Sequence, residues 1–204
     1  MTTIIDTVIF DLGGVLIDWN PERLYKKIFK DREEMKYFLA EVCTPEWNEQ
    51  QDGGRPIEEA TAILLDQFPN YTEEIKAYYG RWTEMLGGAI EETVTILKEI
   101  KAAKTHRVYA LTNWSGETFP EALKRFDFLQ LFEGILVSGD EKMKKPDPQI
   151  YNLILGRYKI NGPNAVFIDD NLKNVKASIE SGIHGIHFTS PEQLRVDLKK
   201  YGLL

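Results

Sequence analysis

The sequence predicts an α/β protein: a doubly wound, Rossmann-like parallel sheet interrupted by an all-helical insertion. Three observations predict it. Short β-branched runs alternate with helical patterns after residue 89, which is the signature of a parallel sheet flanked by helices. Residues 20 to about 86 hold helical stretches and no convincing strand. The proposed strands also end on reactive polar residues, at the side of an open sheet where ligands bind.

The first strand is "TVIFD" (7–11), and Gly13 and Gly14 follow where a strand would otherwise continue. Asn20-Pro21 then offers a helix cap with proline in the first turn. Helical stretches follow, broken at "QDGGRP" (51–56) and "FPNYTEE" (68–74), and "LGGA" (86–89) reads as a hinge. Beyond it comes a helix over 91–102 with Val94, Leu97 and Ile100 on one face, then a strand "RVYALTN" (107–113) and a helix over 116–127. A third strand, "GILVSG" (134–139), precedes a helix over 148–158. A fourth, "AVFIDD" (165–170), precedes a helix over 171–181 that Gly182 ends. "GIHGIHF" (182–188) is the fifth strand, and Ser190-Pro191 opens a last helix over 191–200. The expected division is a core domain of residues 1–18 and 89–204 with a helical cap of residues 19–88.

Composition narrows the function. The 204 residues are 28% charged and 43% hydrophobic, ordinary globular usage, with a net charge of −7. That balance argues against nucleic-acid or anionic-membrane partners, which need clustered Lys and Arg, and "KMKK" (142–145) is too short to supply them. No apolar run approaches the roughly 18 residues of a membrane span. The start of the chain carries Asp6 and shows no basic-then-apolar leader pattern, so a cytoplasmic location is expected. Cys43, the single cysteine, reads as a reduced packing residue.

The strand ends carry the chemistry. They present Asp11, Thr112-Asn113 and Asp169-Asp170, and Lys145 lies in the loop after the third strand. Two carboxylates 4 Å apart repel by about 4 kcal/mol at an effective dielectric near 20, so such a cluster needs a cation or shifted protonation. Hard oxygen donors without Cys or His neighbours suit Mg2+. Thr112, Lys145 and the amides of the Gly13-Gly14 turn then offer donors and charge to phosphate oxygens.

Taken together, "FDLGGVL", "LTN", "KKPDP" and "FIDDN" occur in that order, and the chain resembles the haloacid dehalogenase-like hydrolase superfamily over nearly its whole length. The resemblance implies that Asp11 attacks phosphorus to give an aspartyl-phosphate that water hydrolyses. It further implies Mg2+ bridging Asp11, Asp170 and the phosphate, with Asp169 in direct or outer contact and the Gly13 carbonyl as a ligand. The implied activity is Mg2+-dependent hydrolysis of a small phosphorylated metabolite.

One position departs from the pattern. Phosphatases of that superfamily carry a second Asp two residues after the nucleophile as general acid and base, and here the residue is Gly13. General acid catalysis is worth about 10² to 10⁴ in rate. The expectation is a substrate that leaves easily, such as the anomeric sugar phosphates of the sugar-1-phosphate phosphatases that the chain also resembles. Asp18, a cap residue or a water are other routes to a proton. Three alternatives stand beside the phosphatase: a phosphorylated-ligand-binding protein with weak catalysis, a phosphomutase, which relies on the missing acid, and a dehalogenase, which has little use for Asp169-Asp170.

Specificity in this superfamily resides largely in the cap, and "PEWNEQQDGGRP" (45–56) is the segment expected to dip towards Asp11. Trp47, Gln51 and Arg55 are its candidate contacts. Trp47 and Trp114 join Thr112, Asn113, Lys145 and Gly14 as expected substrate-binding residues. Tyr78, Tyr79 and Trp82 read as the apolar face of a helix, and His184 and His187 as strand residues rather than metal ligands.

Overall fold

The structure, a computed structural model, describes residues 4–204; residues 1–3 of the expected core segment lie outside the described residues. In chain order the elements are β1 (Thr7–Phe10), β2 (Ile17–Trp19), α1 (Glu22–Ile28), α2 (Arg32–Tyr37), α3 (Pro45–Asp52), α4 (Ile57–Gln67), α5 (Thr72–Gly80), β3 (Leu86–Ala89) and α6 (Glu91–Ala103). They continue with β4 (Arg107–Thr112), α7 (Phe119–Arg125), β5 (Gly134–Val137), α8 (Ser138–Glu141), α9 (Pro148–Tyr158), β6 (Ala165–Asp169), α10 (Leu172–Glu180), β7 (His184–His187) and α11 (Pro191–Lys200).

Five strands form one sheet in the order β5-β4-β1-β6-β7, and every pairing is parallel. Side chains alternate across β1, as the two-residue strand period requires. Val8 and Phe10 join the apolar layer under α6, α7 and α11, with Val94, Leu97, Ala122, Leu194 and Leu198. Ile9 faces the opposite layer, with Ile150, Tyr151 and Ile154 of α9 and Ala177 of α10. A sheet buried on both faces needs near-continuous apolar strands, which is how "TVIF" and "AVFID" read. The order places β1 at the centre, beside both β4 and β6, so the ends of these three strands meet.

The helices α1 to α5 pack round an apolar cluster of their own, which includes Leu24, Tyr25, Phe38, Trp47, Leu64, Ile75, Tyr78 and Met85. This cap is tied to the core by a feature not expected from the sequence. β2 and β3 pair antiparallel across the two crossings between core and cap, so "LGGA" is a strand rather than a free hinge. A Cβ at Gly87 would fall on Asp18 Oδ2 and the Arg23 guanidinium, which form an ion pair beside the ribbon, so a larger residue there would have to push that pair aside. Asp18, one of the alternative proton sources, is held in that pair. Asn20 caps as expected, its side chain accepting from the Glu22 amide at 2.9 Å.

Other boundaries fall within one to three residues of expectation, and two of the shifts have a visible cause. The helix expected over 116–127 begins only at Phe119, because residues 116–118 form a turn first, with the Ser115 carbonyl accepting from the Thr118 and Phe119 amides. The third strand stops at Val137, since Ser138 opens a short helix and its hydroxyl accepts from the Trp114 amide at 2.9 Å.

Candidate active site

The central strands deliver their terminal side chains to one place. Asp11 directly follows β1, Asp169 is the last residue of β6 and Asp170 follows it. One carboxylate oxygen from each lies within 4.8 Å of the others. At that separation an ionised pair repels by about 3–4 kcal/mol at a dielectric near 20.

Lys145 partly neutralises the cluster. Its side chain is wholly buried, and Nζ lies 2.9 Å from Asp11 Oδ1 and 2.6 Å from Asp169 Oδ2. Its third contact is a hydrogen bond to the Leu111 carbonyl at 3.1 Å. Burial works against the ammonium, but Asp11 and Asp169 more than offset it, and the lysine is held above its ordinary range. All three of its protons are thereby committed, so Lys145 fixes the carboxylates in place. Asn113 fixes Lys145 in turn: the Lys145 amide donates to Asn113 Oδ1, and Asn113 Nδ2 donates to the Lys145 carbonyl, each at 2.9 Å.

The three carboxylates are not equivalent. Asp169 is completely buried; Oδ1 accepts from the Asn171 amide and Asn174, and Oδ2 from Asn174 and Lys145. It is an anchor with its acceptor sites filled. Asp11 Oδ1 accepts from the Leu12 amide at 2.7 Å and faces Lys145, while Oδ2 has no hydrogen bond among the described residues. Burial pushes the Asp11 carboxyl up to about 8, Lys145 opposing and Asp169 and Asp170 reinforcing the shift. Asp170 is raised as well, by desolvation and then by Asp169. Carboxylates driven towards protonation in this way mark a place for a cation. Their hard oxygen donors fit a small divalent ion such as Mg2+, with Asp11 and Asp170 as the groups left to hold it.

The loop after β1 fits the same purpose. Gly14 has φ +73 and lies so close to Asp170 that a Cβ would stand 2.8 Å from its Cγ. At Gly13, by contrast, a Cβ meets nothing within 4 Å. Thr112, at the end of β4, is 1% exposed and its hydroxyl has no hydrogen-bond partner among the described residues, where buried hydroxyls are normally satisfied.

A cavity of about 270 Å³ opens above these groups, lined by Asp11, Gly13, Gly14 and Asp170 from the core. Asn113, Trp114, Ser115 and Thr118 line it from the β4 side; Trp19, Asn48, Asp52, Tyr78, Tyr79, Trp82 and Met85 line it from the ribbon and cap. Trp114 therefore borders the cavity, its indole donating to Thr118 Oγ1 at 3.0 Å. Trp47 does not. It is buried in the cap, donates from Nε1 to the Ala60 carbonyl and meets Tyr78 edge-to-face at 5.0 Å between centroids. Gln51 and Arg55 bond to each other and to cap partners. Sequence reasoning missed Asn48, Asp52 and the cavity-facing role of the Tyr78-Tyr79 pair. The spacing of 48 and 52, one helical turn apart, was the available signal.

His184 and His187 make carbonyl contacts, to Pro163 and Asp170 respectively. Among the described residues no helix is long and apolar enough to cross a membrane.

Known proteins share this architecture. The chain is 28% identical over 200 residues to a protein of Aspergillus oryzae named sesquiterpene phosphatase astK, covering 98% of each. It is likewise 28% identical over 188 residues to a Thermotoga maritima protein named phosphorylated carbohydrates phosphatase, covering 89% of this chain and 84% of that one. Among solved structures it resembles a haloacid dehalogenase (HAD) family enzyme from Bacteroides thetaiotaomicron, crystallised with magnesium and inorganic phosphate. There the TM-score is 0.68 and the identity 26%, over 91% of this chain and 94% of that one. The family model for haloacid dehalogenase-like hydrolase matches residues 5–182, a span running from just before β1 to the turn before β7. With its carboxylate cluster at the ends of adjacent parallel strands and a helical cap above, the chain belongs to the haloacid dehalogenase-like hydrolases.

Proposed function

We propose that the protein is a Mg2+-dependent phosphatase in which Asp11 is the nucleophile towards a phosphate monoester. The carrying observation is the contrast between the two oxygens of Asp11: Oδ1 is fixed by Leu12 and Lys145, and Oδ2 is without a hydrogen bond at a cavity wall. Attack by Oδ2 forms the bond to phosphorus while the ester P–O bond breaks. Water then attacks the same phosphorus, phosphate leaves, and Asp11 is regenerated. Lys145 opposes the protonation that burial favours at Asp11 and orients its carboxylate, and Thr112 supplies a hydroxyl donor to a phosphate oxygen. When bound between Asp11, Asp170 and the Gly13 carbonyl, Mg2+ would supply positive charge to the phosphoryl oxygens. Asp169 acts from behind as the anchor of Lys145. The relatives named as phosphatases support this reading, and the acidic cluster disfavours the dehalogenase alternative.

The organic part of the substrate is read from the cavity walls. Trp19, Tyr78, Tyr79, Trp82, Trp114 and Met85 give rings and an apolar floor, with Asn48, Ser115 and Thr118 as the polar contacts. These walls favour an ester with a planar or apolar face over a simple, fully hydroxylated sugar phosphate. Turnover of a panel of aryl, isoprenoid, nucleotide and sugar phosphates, with and without EDTA, tests both statements. The account expects EDTA-sensitive turnover, highest for aryl or isoprenoid esters. Turnover that survives EDTA, or none at all, overturns the phosphatase reading; a preference for plain sugar phosphates overturns the assignment of the walls.

A further inference from the structure

Resting on that phosphatase reading, we propose that Asp52 of the cap is the proton donor to the leaving group, in place of a side chain at position 13. Asp52 lines the same cavity as Asp11, Gly13 and Asp170, but from the cap side. A leaving oxygen lies on the far side of phosphorus from the nucleophile, so its proton must come from that direction. At Gly13 a Cβ would meet nothing within 4 Å, so no neighbouring atom has filled the place of a side chain there.

The cap is held so that Asp52 stays in place. Its carbonyl accepts from the Ser138 hydroxyl of the core. One turn earlier, Glu49 pairs with Lys144 at 2.6 Å. Beyond the turn, the Ile57 amide donates to Glu117 at 2.8 Å. These contacts bracket Asp52, fastening α3 to the segment after β5 and the start of α4 to the loop after β4. Asn48 Nδ2, 3.3 Å from Asp52 Oδ2, orients the carboxyl itself.

The surroundings keep the group protonated near neutrality. Asp52 is the last residue of α3, where the negative end of the helix dipole disfavours an anion. Burial, with Glu49 adding to it, pushes the carboxyl up to about 7, against Lys144, the Ser115 amide and Lys145. Tyr78 and Tyr79 of α5 face it as neutral phenols, their own ionisation pushed upward by burial. A carboxyl balanced near the working pH is suited to give a proton and later take one back.

The step balances. As the Asp11 Oδ2–P bond forms and the ester P–O bond breaks, the proton on Asp52 moves to the departing oxygen, which leaves as an alcohol. In the second half, the Asp52 carboxylate accepts a proton from the water attacking phosphorus, and both carboxyl groups return to their starting states.

Asp52→Asn keeps the shape and removes the transferable proton. On an alkyl phosphate, kcat/KM should fall by about 10² to 10⁴; on 4-nitrophenyl phosphate, whose leaving group needs no proton, the change should stay under about tenfold. Wild-type turnover of the alkyl ester should decline above about pH 7, and the variant should lose that limb. The aryl ester reports folding of the variant in the same experiment. Equal losses on both esters, unchanged alkyl activity, or an unchanged pH limb would each overturn the role of Asp52 while leaving the phosphatase reading standing. Wild-type protein that hydrolyses neither ester would overturn the phosphatase reading and this role with it.

Discussion

Replacing Lys145 by methionine removes the ammonium that holds the acidic cluster together while keeping an unbranched side chain in its place, so that lost charge dominates over lost packing. The group is wholly buried and lies 2.9 Å from Asp11 Oδ1 and 2.6 Å from Asp169 Oδ2. Breaking a buried ion pair from one side costs about 3–5 kcal/mol. The carboxylates left behind, with oxygens within 4.8 Å of one another, would repel by about 3–4 kcal/mol per ionised pair at a dielectric near 20. Protonation relieves much of this second cost, so the two do not add. For a chain of this size each kcal/mol lowers Tm by about 2–4 °C, which gives an expected fall of about 6–20 °C. Thermal unfolding in EDTA at about pH 7.5 measures it. Adding Mg2+ should restore part of the loss, because a divalent ion replaces some of the missing positive charge. Turnover should fall too, since Asp11 is then protonated more of the time. A Tm within about 3 °C of wild type would refute the assignment of Lys145 as the cluster's counter-ion.

Gly14→Ala forces a Cβ into a left-handed conformation at φ +73 and against the Asp170 carboxylate. It should cost about 1–2 kcal/mol in stability, displace the Asp170 carboxylate by about 1 Å to restore normal contact, and raise the Mg2+ concentration for half-maximal activity; an unchanged Mg2+ requirement would contradict the placement of Asp170. Gly13→Asp, introduced where a Cβ has open space, should restore alkyl phosphate turnover to the Asp52→Asn variant by at least about tenfold, as a second source of the same proton. Stability should also report Asp52. Its carboxyl is pushed from 3.8 to about 7, so its contribution is fully present below the ordinary carboxylate range and is lost as pH rises through about 7. In Mg2+-saturated protein, Tm should decline from about pH 4 to about pH 7 and level off above that, and Asp52→Asn should flatten the decline.

The core was legible because its physics is local. Runs such as "AVFID" admit few structures other than a buried strand, and a carboxylate directly after such a run stands at the sheet edge where ligands bind. Asp11, Thr112 and Asp169 could therefore be placed from sequence alone. What was not legible depends on distant pairing. Ile17–Trp19 and Leu86–Ala89 are too short and glycine-rich to read as strands, and only their mutual pairing makes them a ribbon. Trp47 and Asp52 lie five residues apart on one helix. Which of them meets the cavity is set by how α3 rests on α4, α5 and the core, so the indole went to the cap interior and the carboxyl to the site. Lys145 was found, but its commitment to three acceptors follows from where β4 and β6 end.

The central claim is that Asp11 Oδ2 forms a bond to phosphorus. Single-turnover hydrolysis of 4-nitrophenyl phosphate by excess enzyme, comparing wild type with Asp11→Asn, tests it most directly when vanadate binding to both is measured alongside. The account predicts full conversion by wild type and none by Asp11→Asn, with vanadate still bound by both. Hydrolysis by Asp11→Asn at the wild-type rate would contradict it.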